Sequence, residues 1–287
     1  MLRQTALCVL FLCRALAADS YEQALAAFQA GRFEDSLSLL NELGADKSDV
    51  PAVQNLKALA SAELQRYPEA IQAMRRAQEL APDNPSYAYN HGLILFEKRD
   101  YQGARDVFLA AIARFGANTR LLSGLGETLF RLNEFEEAEK RLRQATALEP
   151  ASAAPWIVAA RLYYAIGDRE NFRAAAEKAF ALDPQSGQAC YYYGLWLLEQ
   201  AGKPADGAHY IQKSIVLYPR FGEGLRTWGR ILAEQERWEE AARNFEQALA
   251  LEPADAQALF LLSRVYRKLG QEDKAERALS RYRALKK

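Results

Sequence analysis

The chain has 287 residues, of which 50% are hydrophobic and 26% are charged. This length suits one large domain or two ordinary ones, and the apolar and aromatic content excludes an intrinsically disordered chain. Its 37 basic and 37 acidic side chains give a net charge of zero, so no overall field attracts a nucleic acid or an anionic membrane. A partner that binds through charge must therefore find a local patch.

The first residues are typical of a secretory leader. The segment MLRQTALCVLFLCRALAADS contains Arg3, an apolar run over 6–13 and a small-residue cleavage site that ends at Ala17. Because this run is shorter than the roughly 20 residues of a membrane-spanning helix, we predict no stable membrane insertion. Residues 1–17 are predicted to be a signal peptide, which places the mature chain in the periplasm or cell envelope. The alternative is an amphipathic first helix of a cytoplasmic protein.

Two segments of the chain are nearly the same. FEEAEKRLRQATALEP ends at Pro150 and WEEAARNFEQALALEP ends at Pro253. Their separation is three periods of about 34 residues plus one extra residue, and this period is typical of a helix-turn-helix array. The extra residue is predicted to lie in the turn AGKPAD at 201–206. The ends of successive units are marked by Pro82, Gly116, Pro150, Pro184, Pro219 and Pro253.

Each unit carries a small residue at the same place in its first helix. Small side chains let two helices approach closely, so these positions predict tight packing of the first helix against the second. They are Ala58, Gly92, Gly126, Ala160, Gly194, Gly229 and Ser263.

The second helix of each unit carries an apolar stripe. Ala241, Phe245 and Ala248 show its spacing, which places all three side chains on one helix face. Between the two helices, a glycine in the left-handed conformation is predicted to end the first helix. The glycines at this place are Gly31, Gly167, Gly202 and Gly270. No stretch alternates with the period of a strand, so the sequence predicts an all-α fold.

Two segments carry a resemblance to a known family. PWIVAARLYYAIGD at 155–168 resembles the first helix of a tetratricopeptide repeat, and WEEAARNFEQALALEP at 238–253 resembles the second. The resemblance implies a right-handed superhelical solenoid of about 7 to 8 antiparallel helix pairs, as one domain over 18–287. With the leader, it implies a bacterial exported member of the family. The units are expected near 17–50, 51–84, 85–118, 119–152, 153–186, 187–221, 222–255 and 256–287.

Residue types suited to catalysis are not gathered in this sequence. His91 and His209 lie more than three repeats apart, without metal-ligand spacing around them. The stretch GLGETLF at 124–130 is similar to a nucleotide loop, but the repeat phase places it inside a helix. Cys190 is predicted to be a small buried hydrophobe, because free cysteines are mostly buried. We therefore predict no enzyme activity, no metal site and no cofactor.

The resemblance also implies a binding surface. In the family, ligand peptides lie along the first helices, and the corresponding positions here are aromatic in the middle of the chain and basic toward the C-terminus. Such a surface suits a segment with apolar anchors and carboxylates, because arginine binds carboxylate in a forked geometry. The candidate groove residues are Tyr89, Phe96, Phe130, Tyr164 and Tyr191, followed by Arg161, Arg226, Arg230, Arg264, Arg267 and Lys268. The alternative is an ordinary solvated surface, with the arginines neutralised by Glu127, Glu199, Glu223 and Glu234.

The sequence therefore favours a non-catalytic scaffold or adaptor. It is predicted to bind a protein or peptide partner, and no nucleic acid, in the cell envelope. The family's chaperone-binding clamp is not expected, because Leu59 and Gly124 replace required residues while only Asn90 and Arg120 match. The alternative is a regulatory or targeting subunit of a separate envelope enzyme, such as a glycosyltransferase or peptidase.

Overall fold

The computed structural model describes residues 20–44, 48–200 and 204–286. Within these ranges the chain forms sixteen α-helices and no strand, which confirms the all-α repeat fold. The leader predicted at 1–17 and the turn glycine Gly202 lie outside the described residues.

The helices belong to two compact units that divide after Leu148. The first unit contains α1 at 20–29, α2 at Phe33–Asn41, α3 at Pro51–Glu63, α4 at Tyr67–Leu80, α5 at Pro85–Glu97, α6 at Tyr101–Phe115, α7 at Thr119–Arg131 and α8 at Phe135–Leu148. The second contains α9 at Ala153–Ile166, α10 at Arg169–Leu182, α11 at Gly187–Leu198, α12 at Pro204–Leu217, α13 at Gly222–Glu234, α14 at Trp238–Leu251, α15 at Ala256–Lys268 and α16 at Glu272–Ala284. Odd-numbered helices are the first of each pair, and even-numbered helices are the second.

α11 ends at Leu198 and α12 begins at Pro204, whereas α13 ends at Glu234 and α14 begins at Trp238. Residues 201–203 of the turn AGKPAD lie outside the described residues, so the place of the extra residue stays a prediction. The stretch 124–130 lies within α7, which confirms that it is helical and forms no loop.

Where the small residue of a first helix is a glycine, it lies against a large side chain of its partner helix. A Cβ atom added to Gly92 would lie 2.5 Å from the ring of Phe108, and one added to Gly229 would lie 2.9 Å from the ring of Phe245. Both rings are completely buried. Glycine is needed at these two places because the phenylalanine ring occupies the space of a side chain.

Replacing Gly92 with alanine is expected to lower the free energy of unfolding by about 1–3 kcal/mol, because the added methyl group must displace the packed ring of Phe108. The matched control is Gly222→Ala, where an added Cβ meets no atom within 4 Å. Urea unfolding of both variants measures the difference. Equal stabilities would contradict the packing role of Gly92.

The turns inside the helix pairs share a left-handed residue. Three of the predicted turn glycines have positive φ, namely Gly31, Gly167 and Gly270. In four other turns a residue with a side chain takes the same conformation, with φ between 60° and 65°, and these are Gln65, Arg99, Asn133 and Glu236. For an ordinary residue this conformation costs about 1–2 kcal/mol.

Replacing Gln65 with glycine is therefore expected to raise the free energy of unfolding by about 0.5–1 kcal/mol, since relief of strain exceeds the added chain entropy. The control is Gln72→Gly in the exposed middle of α4, which is expected to lower it by about 1 kcal/mol. Thermal unfolding followed by circular dichroism gives the sign of each change. A loss of stability in both variants would show that the turn holds no strain.

Candidate protein-binding surface

In the first unit, the aromatic residues predicted to line the groove also pack against other side chains of the fold. Phe96 meets Tyr101 edge-on, with ring centroids 5.3 Å apart, and Phe130 lies 6.1 Å from Phe135. Each pair joins the end of a first helix to the start of its second helix. These aromatics therefore stabilise the turn between the two helices of a pair. The two residues of each pair are five positions apart, and this spacing is the sequence signal for the contact.

Tyr89 is half-buried on α5 and carries a cation over its ring. The guanidinium carbon of Arg120, from α7, lies 4.3 Å from the centroid of the Tyr89 ring. Beside it, the Asn90 amide donates to the Asn55 side-chain oxygen at 2.8 Å, which links α5 to α3. These contacts join successive first helices. A cation–π pair of this kind contributes about 0.5–1 kcal/mol. Tyr89 consequently has one ring face covered by Arg120.

In the second unit, Tyr191 is buried inside the repeat, which corrects its expected place in the groove. Only 5% of Tyr191 is exposed, and its hydroxyl oxygen lies 3.1 Å from the hydroxyl of Thr227. Its ring meets Phe221 edge-on at 4.9 Å. Burial, with the nearby carboxylate of Glu223, raises the pKa of Tyr191 well above its usual value. Tyr191 therefore packs α11 against α13 and presents almost no surface to a partner.

Arg226 also has a structural role. Its guanidinium donates to Asp255 Oδ2 at 2.5 Å, and the Asp255 side chain is only 7% exposed. The other carboxylate oxygen of Asp255 accepts from the backbone N–H of Ala258 at 2.9 Å, which caps α15. Arg226 is therefore held by a buried ion pair between repeats. Substitutions that test binding must therefore leave Arg226 unchanged.

Arg161 and Tyr164 lie together on α9 but differ in exposure. Arg161 is half-buried, and its Nε donates to the buried hydroxyl of Tyr192 at 2.7 Å. Tyr164 keeps 45% of its surface exposed while its ring lies 5.1 Å from Phe172. Tyr164 therefore remains an accessible contact, and Arg161 mainly joins α9 to α11.

The remaining predicted arginines converge on one cavity. Arg230, Arg264 and Arg267 line a cavity of about 700 Å³ formed by α13, the start of α14 and α15. We call this cavity the basic groove. Its other lining residues are Lys268, Glu234, Ala233, Trp238, Phe245, Leu261 and Val265.

The basic groove has an excess of positive charge. Arg230 donates to Glu234 at 2.7 Å, so this pair is neutral. Within the described ranges, Arg264, Arg267 and Lys268 form no ion pair with a carboxylate. Lys268 Nζ lies 5.9 Å from the centroid of the Trp238 ring, and Arg264 Cζ lies 6.0 Å from that of the Phe260 ring. Three cations without a carboxylate partner therefore surround an apolar floor.

The predicted neutralising glutamates are distributed differently. Glu234 pairs with Arg230, as the alternative interpretation expected. Glu199 instead accepts a hydrogen bond from Arg169 at 3.2 Å, and neither of these residues lines the basic groove. The alternative interpretation therefore accounts for Arg230 and leaves the cations of α15 unexplained.

The rest of the described chain shows no clear catalytic or metal-binding site. Cys190 is completely buried, which confirms its predicted packing role, and its thiol donates to the carbonyl of Pro184 at 3.4 Å. In the described ranges no three His, Cys, Asp or Glu side chains gather as metal ligands would. Among the same residues, no helix has both the length and the apolarity needed to cross a membrane.

Comparison with protein families gives a consistent match over most of the chain. Three family models, each described as tetratricopeptide repeat, match residues 21–85, 95–162, 153–186 and 232–286. One curated relative, Protein CTR9 homolog of Arabidopsis thaliana, is 26% identical over 247 residues, or 82% of this chain. The chain spans only 22% of that relative's length.

Solved structures share the fold. The Cut9–Hcn1 hetero-tetramer of the APC/C matches with a TM-score of 0.65 and 16% identity, over 94% of this chain and 66% of that one. The human IFIT1 dimer with PPP-AAAA matches with a TM-score of 0.62 and 17% identity, over 94% and 72%. A tetratricopeptide repeat protein from Parabacteroides merdae matches with a TM-score of 0.56 and 13% identity, over 82% and 93%. At these identities the likeness concerns the fold alone.

Proposed function

The chain is built of tetratricopeptide repeats and belongs to that family, and we propose that it is a non-catalytic scaffold that holds a protein partner in the basic groove. The observation that carries this proposal is the set of unpaired cations on α15, Arg264, Arg267 and Lys268, beside an apolar floor. The similar Cut9 structure, a member of a hetero-tetramer, is consistent with a role in holding partners.

The chemistry of the groove defines the segment that it would bind. Arginine forms paired, charge-assisted hydrogen bonds with carboxylate, and these are stronger than neutral ones. Trp238 and Leu261 offer apolar area next to these cations, and buried aromatic and arginine anchors supply most of the energy at protein interfaces. A cavity of about 700 Å³ is in the range of ligand pockets, which admits a few side chains. The partner therefore presents a short segment with carboxylates next to a large apolar side chain.

Selection of short random peptides displayed on phage tests this proposal. We expect the protein to enrich peptides that combine Asp or Glu with Leu, Ile, Phe or Trp. A photo-crosslinker on an enriched peptide should label α13 and α15. Enrichment of neutral or basic peptides alone, or labelling elsewhere, would contradict the basic groove as the binding site.

The cell-envelope location is a separate proposal that depends on the leader predicted at 1–17. If the chain is in the cell envelope, its partner must lie in the same compartment. The contacts of the basic groove do not depend on it.

A further inference from the structure

A second cavity, of about 570 Å³, lies between α14 and α16. Its floor is formed by Leu259, Leu262 and Tyr266, which share a different face of α15 from the residues that line the basic groove. The α14 wall carries Leu249 and Glu246. We call this cavity the second groove. Its α16 wall consists of Lys274, Arg277, Ala278 and Arg281.

The charges of the second groove are unevenly divided between its walls. On the α14 wall, Glu246 accepts a hydrogen bond from the Tyr266 hydroxyl at 2.5 Å. On the α16 wall, Arg281 donates to the carbonyl of Pro253 at 3.1 Å. Arg277 is exposed, and in the described part of the chain it has no carboxylate partner. Lys274 Nζ lies 5.4 Å from the centroid of the Tyr266 ring, and it forms no ion pair with a carboxylate in the described part of the chain. The α16 wall therefore presents two exposed cations, Lys274 and Arg277, without a carboxylate partner.

The other second helices do not share this basic wall. The positions equivalent to Lys274, Arg277 and Arg281 hold Glu137, Lys140 and Gln144 in α8, and Glu240, Arg243 and Gln247 in α14. Because the repeats of α8 and α14 pack with mixed residues at these positions, the repeat fold does not require three cations on one wall. Their presence points to a binding role.

The whole last repeat is basic although the chain is neutral. Residues 256–286 contain eight Lys or Arg and three Asp or Glu side chains, whereas the complete chain has equal numbers. A local excess of this size steers acidic partners toward both grooves beside α15.

We propose that the second groove is a docking site for an acidic segment of a partner protein, separate from the segment held in the basic groove. Carboxylates of this segment pair with Arg277 and Lys274, and a small apolar side chain lies between Leu249 and Ala278. An apolar floor of this kind favours a protein segment over a purely charged polymer. A partner with acidic segments at both grooves gains affinity because the second contact becomes intramolecular.

The test uses the full chain with the basic groove disabled by Arg264→Glu and Arg267→Glu. Short displayed peptides are selected on this variant, and each enriched peptide is measured again after Lys274→Glu and Arg277→Glu are added. We expect peptides that combine Asp or Glu with Leu or Val. Their Kd should rise at least about tenfold on the second pair of substitutions. Circular dichroism should show only a small fall in melting temperature, because both substituted side chains are exposed and the cation–π contact of Lys274 with Tyr266 contributes about 0.5–1 kcal/mol.

The matched control adds Arg283→Glu and Lys286→Glu instead, which change the net charge equally on the same repeat but do not line the second groove. No enriched peptide, or equal weakening by the control pair, would overturn the second groove. Self-association of the selection variant that is lost with Lys274→Glu and Arg277→Glu would assign the groove to a second copy of this chain, and would also overturn it. Binding at the basic groove is measured on the unsubstituted protein, so these outcomes leave the proposed function intact.

Discussion

Replacing Asp255 with alanine is expected to lower the free energy of unfolding of the second unit by about 3–5 kcal/mol. One carboxylate oxygen of Asp255 accepts a hydrogen bond from the Arg226 guanidinium at 2.5 Å, and the other accepts from the N–H of Ala258 and so caps α15. Its loss leaves a largely buried arginine without a counter-charge, and a lost cap alone costs about 1 kcal/mol. Few single substitutions have so large an effect on the free energy of unfolding.

Tryptophan fluorescence is a suitable measurement, because all four tryptophans follow residue 149 and report on the second unit. The matched control is Ser186→Ala, which removes a cap at Ala189 without breaking an ion pair, and should cost about 1 kcal/mol. Asp255→Asn should fall between the two, since asparagine caps as well as aspartate but carries no charge. Equal losses for Asp255→Ala and Ser186→Ala would show that the ion pair contributes nothing.

The helix pairs of this fold could be predicted from the sequence, because the packing contacts inside each pair recur with the period of about 34 residues. The close approach at Gly92 and Gly229 and the left-handed turns depend on residues within one repeat. A local pattern is enough to predict such features. The predicted groove positions on the first helices are different, because Tyr89, Tyr191 and Arg226 also contact the next repeat.

Arg226 shows how a surface prediction can fail. Its position is open in an isolated helix pair, and only the cap of the following first helix supplies its partner. A signal was present in the sequence, because Asp255 is the only carboxylate among the residues that precede a first helix in the described pairs from α3 onward. The others are Val50, Asn84, Asn118, Ser152, Ser186 and Phe221.

Tyr191 had no comparable signal. Its burial depends on Phe221 and Thr227, which approach only after α11 packs against α13. The helical spacing that placed Tyr191 on the first-helix face is correct, but spacing does not report how closely the next helix covers a given residue. Side-chain size in the following repeat decides this.

Replacing Arg264 and Arg267 with glutamate is expected to weaken binding of the selected acidic peptides about a hundredfold. The two substitutions remove two of the three unpaired cations of the basic groove and place carboxylates where the ligand's carboxylates bind. Both side chains are exposed, so the melting temperature should change little. Fluorescence anisotropy of labelled peptides measures the loss of affinity.

The control pair Arg283→Glu and Lys286→Glu separates contact from long-range charge. It alters the net charge of the same repeat equally, but neither residue lines the basic groove. Interactions beyond about 10 Å are screened at ordinary salt, so this pair should weaken binding slightly, and only at low ionic strength. The loss caused by Arg264→Glu and Arg267→Glu should persist when salt is raised, because direct contacts in a partly desolvated groove are screened less. If both pairs weakened binding equally and salt removed both effects, the last repeat would act through its overall field, and the basic groove would not be the recognition site.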